Sequence, residues 1–187
     1  QYLGFLKFGD DGAGNQIGVA PGATWIGCRN MDQGTGRPST YIECLQFFLA
    51  PTNLQGQNPD STKRPDVVNN SYYCPPSELC STGSLQTAVD SMRAAGIFMA
   101  VAAGNDGPGC STVQYPPALY ASSITVGATG YQTDAIAGFS SRGPVTADGS
   151  NRSKPDVAAQ RRKFRPQQSD CSGQVRRRHR CPAEDRV

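Results

Sequence analysis

Apolar positions in this chain fall into two periods, and Gly, Pro and Asn mark the boundaries between them. Leu85, Ala88, Val89 and Met92 recur at i, i+3, i+4 and i+7, which predicts an amphipathic helix over residues 84–95. Gly96 stands where a glycine commonly ends such a helix. Directly after it, Ile97-Phe98-Met99-Ala100-Val101-Ala102-Ala103 is an unbroken apolar run, whose length and content predict a strand buried on both faces. The run stops at Gly104-Asn105-Asp106-Gly107-Pro108, a turn signal. Residues 24–28 and 123–128 read as further strands, 66–71 as a short strand with a polar end, and 154–159 as a short extended piece. A second helix is predicted past Ser39 or Thr40, with Glu43 completing a capping box for Thr40. Tyr41, Cys44, Leu45, Phe48 and Leu49 would form its apolar face. Gly9 to Asn15, Asp32 to Pro38, Asn53 to Pro65 and Phe139 to Pro144 read as turns or loops.

Strands alternating with helices imply a parallel α/β sheet with right-handed crossovers. No internal repeat interrupts this order, and 187 residues suffice for one domain with a core. No run of 18 or more apolar residues occurs, so no membrane span is expected.

Charge changes the picture at one place. Residues 1–159 carry nine Lys and Arg against twelve Asp and Glu, whereas residues 160–187 carry nine against three. The net charge of +3 therefore combines an acidic body with a basic, Arg-rich tail that lacks apolar periodicity. Arginines attract phosphate, but Phe164 is the one aromatic in the tail, so base stacking has no support and a nucleic-acid partner is not expected. The most the tail offers is a polyanion contact, and it is expected to be irregular.

Cysteine usage bears on compartment. Cys74 and Cys80 bracket a small loop that a disulfide could close, and Cys28 with Cys44 is a second candidate pair. That usage leans towards an oxidising compartment, although pairing is not fixed by sequence and Cys110 is a candidate free thiol. There is no Cys-x-x-Cys pair, and the one histidine, His179, lies among four tail arginines. A zinc site is therefore poorly supported. Cations around His179 also disfavour the imidazolium that a general base must become. Gly9-Asp10-Asp11-Gly12-Ala13-Gly14-Asn15 offers oxygen ligands without the twelve-residue calcium-loop pattern. No metal ligand or cofactor is assigned.

Sites in open α/β sheets form beyond the carboxyl ends of strands. Asn105 has that place, where its amide can point at a ligand or a developing oxyanion, although Asn also serves as an ordinary turn residue. Cys110, five residues on, would be a nucleophile only with a lowered pKa, and no neighbouring cation argues for one. Ser140 and Ser141 lie outside any Gly-x-Ser-x-Gly elbow.

Ala103-Gly104-Asn105, Phe139-Ser140-Ser141-Arg142-Gly143-Pro144 and Lys154-Pro155-Asp156-Val157-Ala158-Ala159, in this order after Gly18-Val19-Ala20-Pro21 and Asn69-Asn70-Ser71, resemble the subtilisin-like serine peptidases, the subtilases. The resemblance spans about residues 9–159 and is closest to secreted bacterial members with an extra Cys-bearing loop. It implies a three-layer α/β/α fold with a mainly parallel sheet. It also implies peptide-bond cleavage by an Asp, His, Ser triad with an Asn amide in the oxyanion hole. Asn105 matches that Asn. Ser71 and Tyr72 match the segment that pairs with the substrate backbone. Ala102, Ala103 and Gly104 match one wall of the primary specificity pocket. Calcium is frequent in the family, and its site here is unplaced.

The departures set the functional expectation. The Asp motif would lie upstream of Gln1, residues 1–8 contain no His-Gly-Thr-His segment, and no Gly-Thr-Ser-Met-Ala motif follows Ala159. Ala159-Gln160-Arg161 stands where the family has Ala-Pro-Gly, and Tyr73 stands where close relatives often have Gly. The abrupt change at Gln160 suggests a tail read out of frame relative to a subtilase gene. The chain is thus expected to be an incomplete subtilase-like domain over 1–159 with a basic tail over 160–187. At most it would hydrolyse activated esters or peptides weakly through Asn105. The alternatives are an inactive peptide-binding relative and a polyanion binder. A sheet flank without its family helices would expose apolar surface, for which a homodimer is the expected cover.

Overall fold

The computed structural model describes residues 2–7, 20, 22–130 and 133–160. Gly9 to Asn15, His179 and most of the tail lie outside the described residues.

The centre is a parallel sheet of β5 (Val67–Asn70), β6 (Phe98–Ala102), β7 (Ile124–Thr129) and β8 (Val157–Gln160), neighbours in that order. The earlier strands β1 (Tyr2–Lys7), β2 (Thr24–Cys28), β3 (Met31–Asp32) and β4 (Thr35–Gly36) form two separate antiparallel pairs. β2 starts and ends where the sequence predicts. It nevertheless pairs with β1, Tyr2 opposite Cys28 and Lys7 opposite Thr24, and does not enter the parallel sheet.

Helix α2 (Gln86–Ala94) links β5 to β6. Its predicted stripe is real: Leu85, just before it, and Val89 and Met92 within it are all buried. Each is worth about 1.5–3 kcal/mol relative to exposure. The end is a Schellman arrangement. Gly96 has φ +80°, its N–H donates to Arg93 O, and the Ile97 N–H donates to Met92 O at 3.0 Å. The glycine reverses the chain at once, and β6 begins two residues later.

Helix α1 (Pro38–Leu49) packs on α2 and buries Tyr41, Cys44, Leu45 and Phe47, with Phe48 and Leu49 half-buried against the core. Its start corrects the sequence expectation. Arg37 is the cap and Pro38 the first helical residue, because a proline that lacks an N–H costs nothing there. Thr40 Oγ1, three residues in, accepts from the Arg37 N–H at 3.1 Å and so takes the part expected of Glu43.

Parallel register puts Val68 beside Met99, Asn70 beside Val101, and Val101 beside Thr125, all buried on one face of the sheet. The other face carries Val67, Phe98 and Val157, exposed by 59%, 49% and 53%. The expectation that the 97–103 run is buried on both faces is therefore corrected: Phe98 and Ala102 are exposed while Met99 and Val101 are sealed. The described residues build the sheet and its helical cover on one side, an α/β fold.

Both candidate disulfides are formed. Cys28–Cys44 joins β2 to α1 and Cys74–Cys80 closes its small loop, while Cys110 is free and exposed. No described helix is long and apolar enough to cross a membrane.

Candidate functional site

The carboxyl ends of β5, β6 and β7 converge on one edge of the sheet. Asn70 pairs with Val101, so Ser71 and Ala102 continue side by side. The Ala103 N–H donates to Val126 O of β7 at 2.9 Å, carrying the chain one residue past β6. Gly104 then turns with φ +107°, a conformation that excludes most side chains. Asn105 follows, exposed, and its amide makes no hydrogen bond among the described residues.

The turn that carries Asn105 is clamped from residues 137–141. Ser141 N–H donates to Gly104 O at 3.1 Å, Ser141 Oγ accepts from the Asp106 N–H at 3.0 Å, and the Gly107 N–H donates to Phe139 O at 2.9 Å. Ser140 Oγ accepts from the Ala128 N–H of β7 at 3.0 Å. Ser140 and Ser141 are 1% and 0% exposed. Their hydroxyls accept from backbone amides and are closed to substrate, which agrees with a structural role for both.

Ser71 is exposed, and its Oγ accepts from Asn69 Nδ2 at 3.0 Å. Asn70, buried, donates from Nδ2 to Tyr72 O at 2.8 Å and so shapes the backbone after β5. The Tyr72 ring stacks on Tyr41 with centroids 4.7 Å apart, and burial pushes its hydroxyl pKa up. Its side chain belongs to the core edge, which leaves its backbone as the group able to meet a peptide. Ala102 is exposed, Ala103 buried and Gly104 half-buried. Tyr73 stacks on Tyr115 at 5.2 Å, and burial followed by the Asp106 carboxylate raises its pKa. Cys110 is on a strap fastened by the Ser111 N–H to Gly143 O at 3.0 Å and the Thr112 N–H to Arg142 O at 2.7 Å.

Two polar clusters were not expected from the sequence pattern. Lys154, 5% exposed, donates from Nζ to Ser123 O at 2.8 Å and pairs with Asp156 Oδ2 at 2.6 Å. The same carboxylate oxygen accepts from the Thr125 N–H, and together these bonds fix the entry of β8 against β7. Burial lowers the Lys154 pKa, with Asp156 pulling the other way. Glu78, inside the Cys74–Cys80 loop, accepts from the Gly36 N–H at 2.9 Å and from the Tyr41 hydroxyl at 2.6 Å. Only the positions of Lys154 and Asp156, two apart in an extended piece, hinted at either cluster. Among the described residues no three His, Cys, Asp or Glu side chains gather as a metal site would need.

The pattern of the subtilase family matches residues 4–180. Bacillopeptidase F of Bacillus subtilis (strain 168) is 36% identical over 156 residues, covering 78% of this chain and 10% of its own length. Serine protease AprX of the same organism is 32% identical over 164 residues, covering 81% of this chain and 34% of its own. The solved structure of Sphericase superposes with a TM-score of 0.58 at 22% identity, over 81% of this chain and 47% of that one, a likeness of fold. The chain belongs to the subtilase family. It spans about a third or less of the length of the curated relatives described.

Proposed function

We propose that this chain is a peptidase-derived, hydrolase-type subtilase domain whose retained chemistry is carbonyl polarisation by Asn105. The observation that carries the reading is the Asn105 turn itself: an exposed amide with no hydrogen bond among the described residues, at the carboxyl end of a parallel sheet, on a backbone fixed by bonds to the buried Ser141. An amide donor so placed stabilises the negative charge that develops on a carbonyl oxygen under attack. Ser71 and Ala102–Gly104 beside it supply backbone for an extended acyl or peptide substrate. Among the described residues no serine stands beside a histidine, and the reading takes water or hydroxide as the nucleophile. Family scaffolds lacking triad groups retain roughly 10³–10⁴-fold catalysis over water. That is too little for a peptide bond and enough for an ester whose phenolate leaves unprotonated. Two disulfides favour an exported setting, secreted or periplasmic.

The test is turnover of p-nitrophenyl acetate and casein by the full chain, by Asn105→Ala and by a copy ending at Ala159. Ester turnover that persists without the tail and drops to the solution background in Asn105→Ala is expected, with casein untouched. Turnover indifferent to Asn105 overturns the reading. A peptide binder without turnover is the second reading, favoured by the Tyr73–Tyr115 stack that occupies space beside Asp106. Peptide binding by a chain that leaves the ester intact would select it.

A further inference from the structure

We propose that Ser141 is the positioning residue for the Asn105 amide, an inference that rests on the role proposed for Asn105. Both peptide groups that flank Asn105 are held by this one residue. On the amino side, Gly104 O accepts from the Ser141 N–H at 3.1 Å. On the carboxyl side, the Asp106 N–H donates to Ser141 Oγ at 3.0 Å. Asn105 is thus the apex of a turn whose two feet stand on a side chain and an amide with no exposure to water. The Ser141 partner is sealed in both bonds, while Asp106 itself is exposed, so the clamp fixes an exposed turn from its buried side.

The approach is close enough to dictate the neighbouring residue. A Cβ on Gly104 would lie 2.7 Å from Ser141 Oγ, so a glycine is required both by that distance and by φ +107°. Ser141 is in turn tied to the sheet. The Ala137 N–H donates to Ala128 O at 2.9 Å and Ser140 Oγ accepts from the Ala128 N–H, both on β7. Asn105 leaves β6 directly, while its clamp is anchored on β7. The backbone that carries its amide is therefore referenced to two adjacent strands and cannot drift with the loop alone. A donor aimed at a developing oxyanion needs that fixity, because small displacements cost large factors in rate.

The experiment uses the full chain with p-nitrophenyl acetate as probe, together with amide hydrogen exchange. Ser141→Ala is expected to lower kcat by about tenfold while KM stays within about twofold, since orientation and not binding is lost. Ser141→Thr, which keeps the oxygen, is expected to restore turnover. The Asp106 amide is expected to be protected in the unaltered chain and to exchange at least tenfold faster in Ser141→Ala. A raised KM with kcat unchanged, or a Ser141→Thr variant that stays as slow as Ser141→Ala, would mark Ser141 as merely structural and overturn the proposal. So would an unprotected Asp106 amide in the unaltered chain, a result that needs no variant to fold. If turnover of the unaltered chain ignores Asn105→Ala, the proposed function falls separately. The side-chain order parameter of Asn105 then decides here: a drop in Ser141→Ala supports the positioning role, and no change refutes it.

Discussion

Side chains among the described residues act as acceptors for backbone amides at places where the fold turns. Ser140, Ser141 and Asp156 each take a peptide N–H, and so does Asp148, whose Oδ1 accepts from the Ser150 N–H at 3.0 Å. Asp148 also pairs with Arg152 at 3.1 Å. Its carboxyl is pushed up by burial, but the Ser150 bonds and the Arg152 charge outweigh this and hold its pKa below the usual carboxylate range. The folded state therefore favours ionised Asp148. Its contribution is complete above the unfolded pKa of about 3.9 and is lost as pH falls through the lower folded value. Asp148→Asn is expected to lower Tm slightly at pH 6, by less than about 1 kcal/mol in stability. The gap between the two melting curves should close towards pH 2. A gap that widens in acid would mean the carboxyl is raised, not lowered.

At the scale of elements, what could be read in the chain depended on how local the cause is. The helix stripe of Leu85, Val89 and Met92 and its glycine end were legible, because period and cap lie within one stretch of sequence. The span of β2 was legible too. Its partner was not, since a strand's pattern says which residues alternate and nothing about which edge they meet. The Asn105 turn was readable from an apolar run ending in Gly-Asn-Asp-Gly, whereas its clamp joins residues 35 apart and leaves no trace in periodicity. Glu78 meeting Tyr41 has the same character, a contact made by two covalently closed segments. Those closures differ in worth. The Cys28–Cys44 bridge spans 16 residues and Cys74–Cys80 spans 6. Loop-entropy reasoning gives about 3 kcal/mol for the first and about 2 kcal/mol for the second. Paired Cys→Ala variants should therefore rank in that order in urea midpoint. The reverse order would show that the Glu78 contacts, not loop entropy, dominate the smaller loop.

For the whole molecule the unequal faces of the sheet matter most. Val67, Phe98 and Val157 leave apolar side chains in water on the side opposite the buried Val68, Met99 and Val101. We propose that a second copy covers this face. The expected result is a concentration-dependent dimer by light scattering, with a fluorescent apolar dye binding as the dimer dissociates. Phe98→Lys should weaken the dimer and leave the fold intact, because the residue is half exposed. A monomer at every concentration, with no dye signal, would refute the dimer. The sheet has another property on this scale: its strands stand in space in the order in which they occur along the chain. Growth of β5, β6, β7 and β8 can therefore be purely additive, each strand docking on the one made just before it. Among these four strands none has to be inserted between two already paired, so each can add to an edge that the preceding strand has just made.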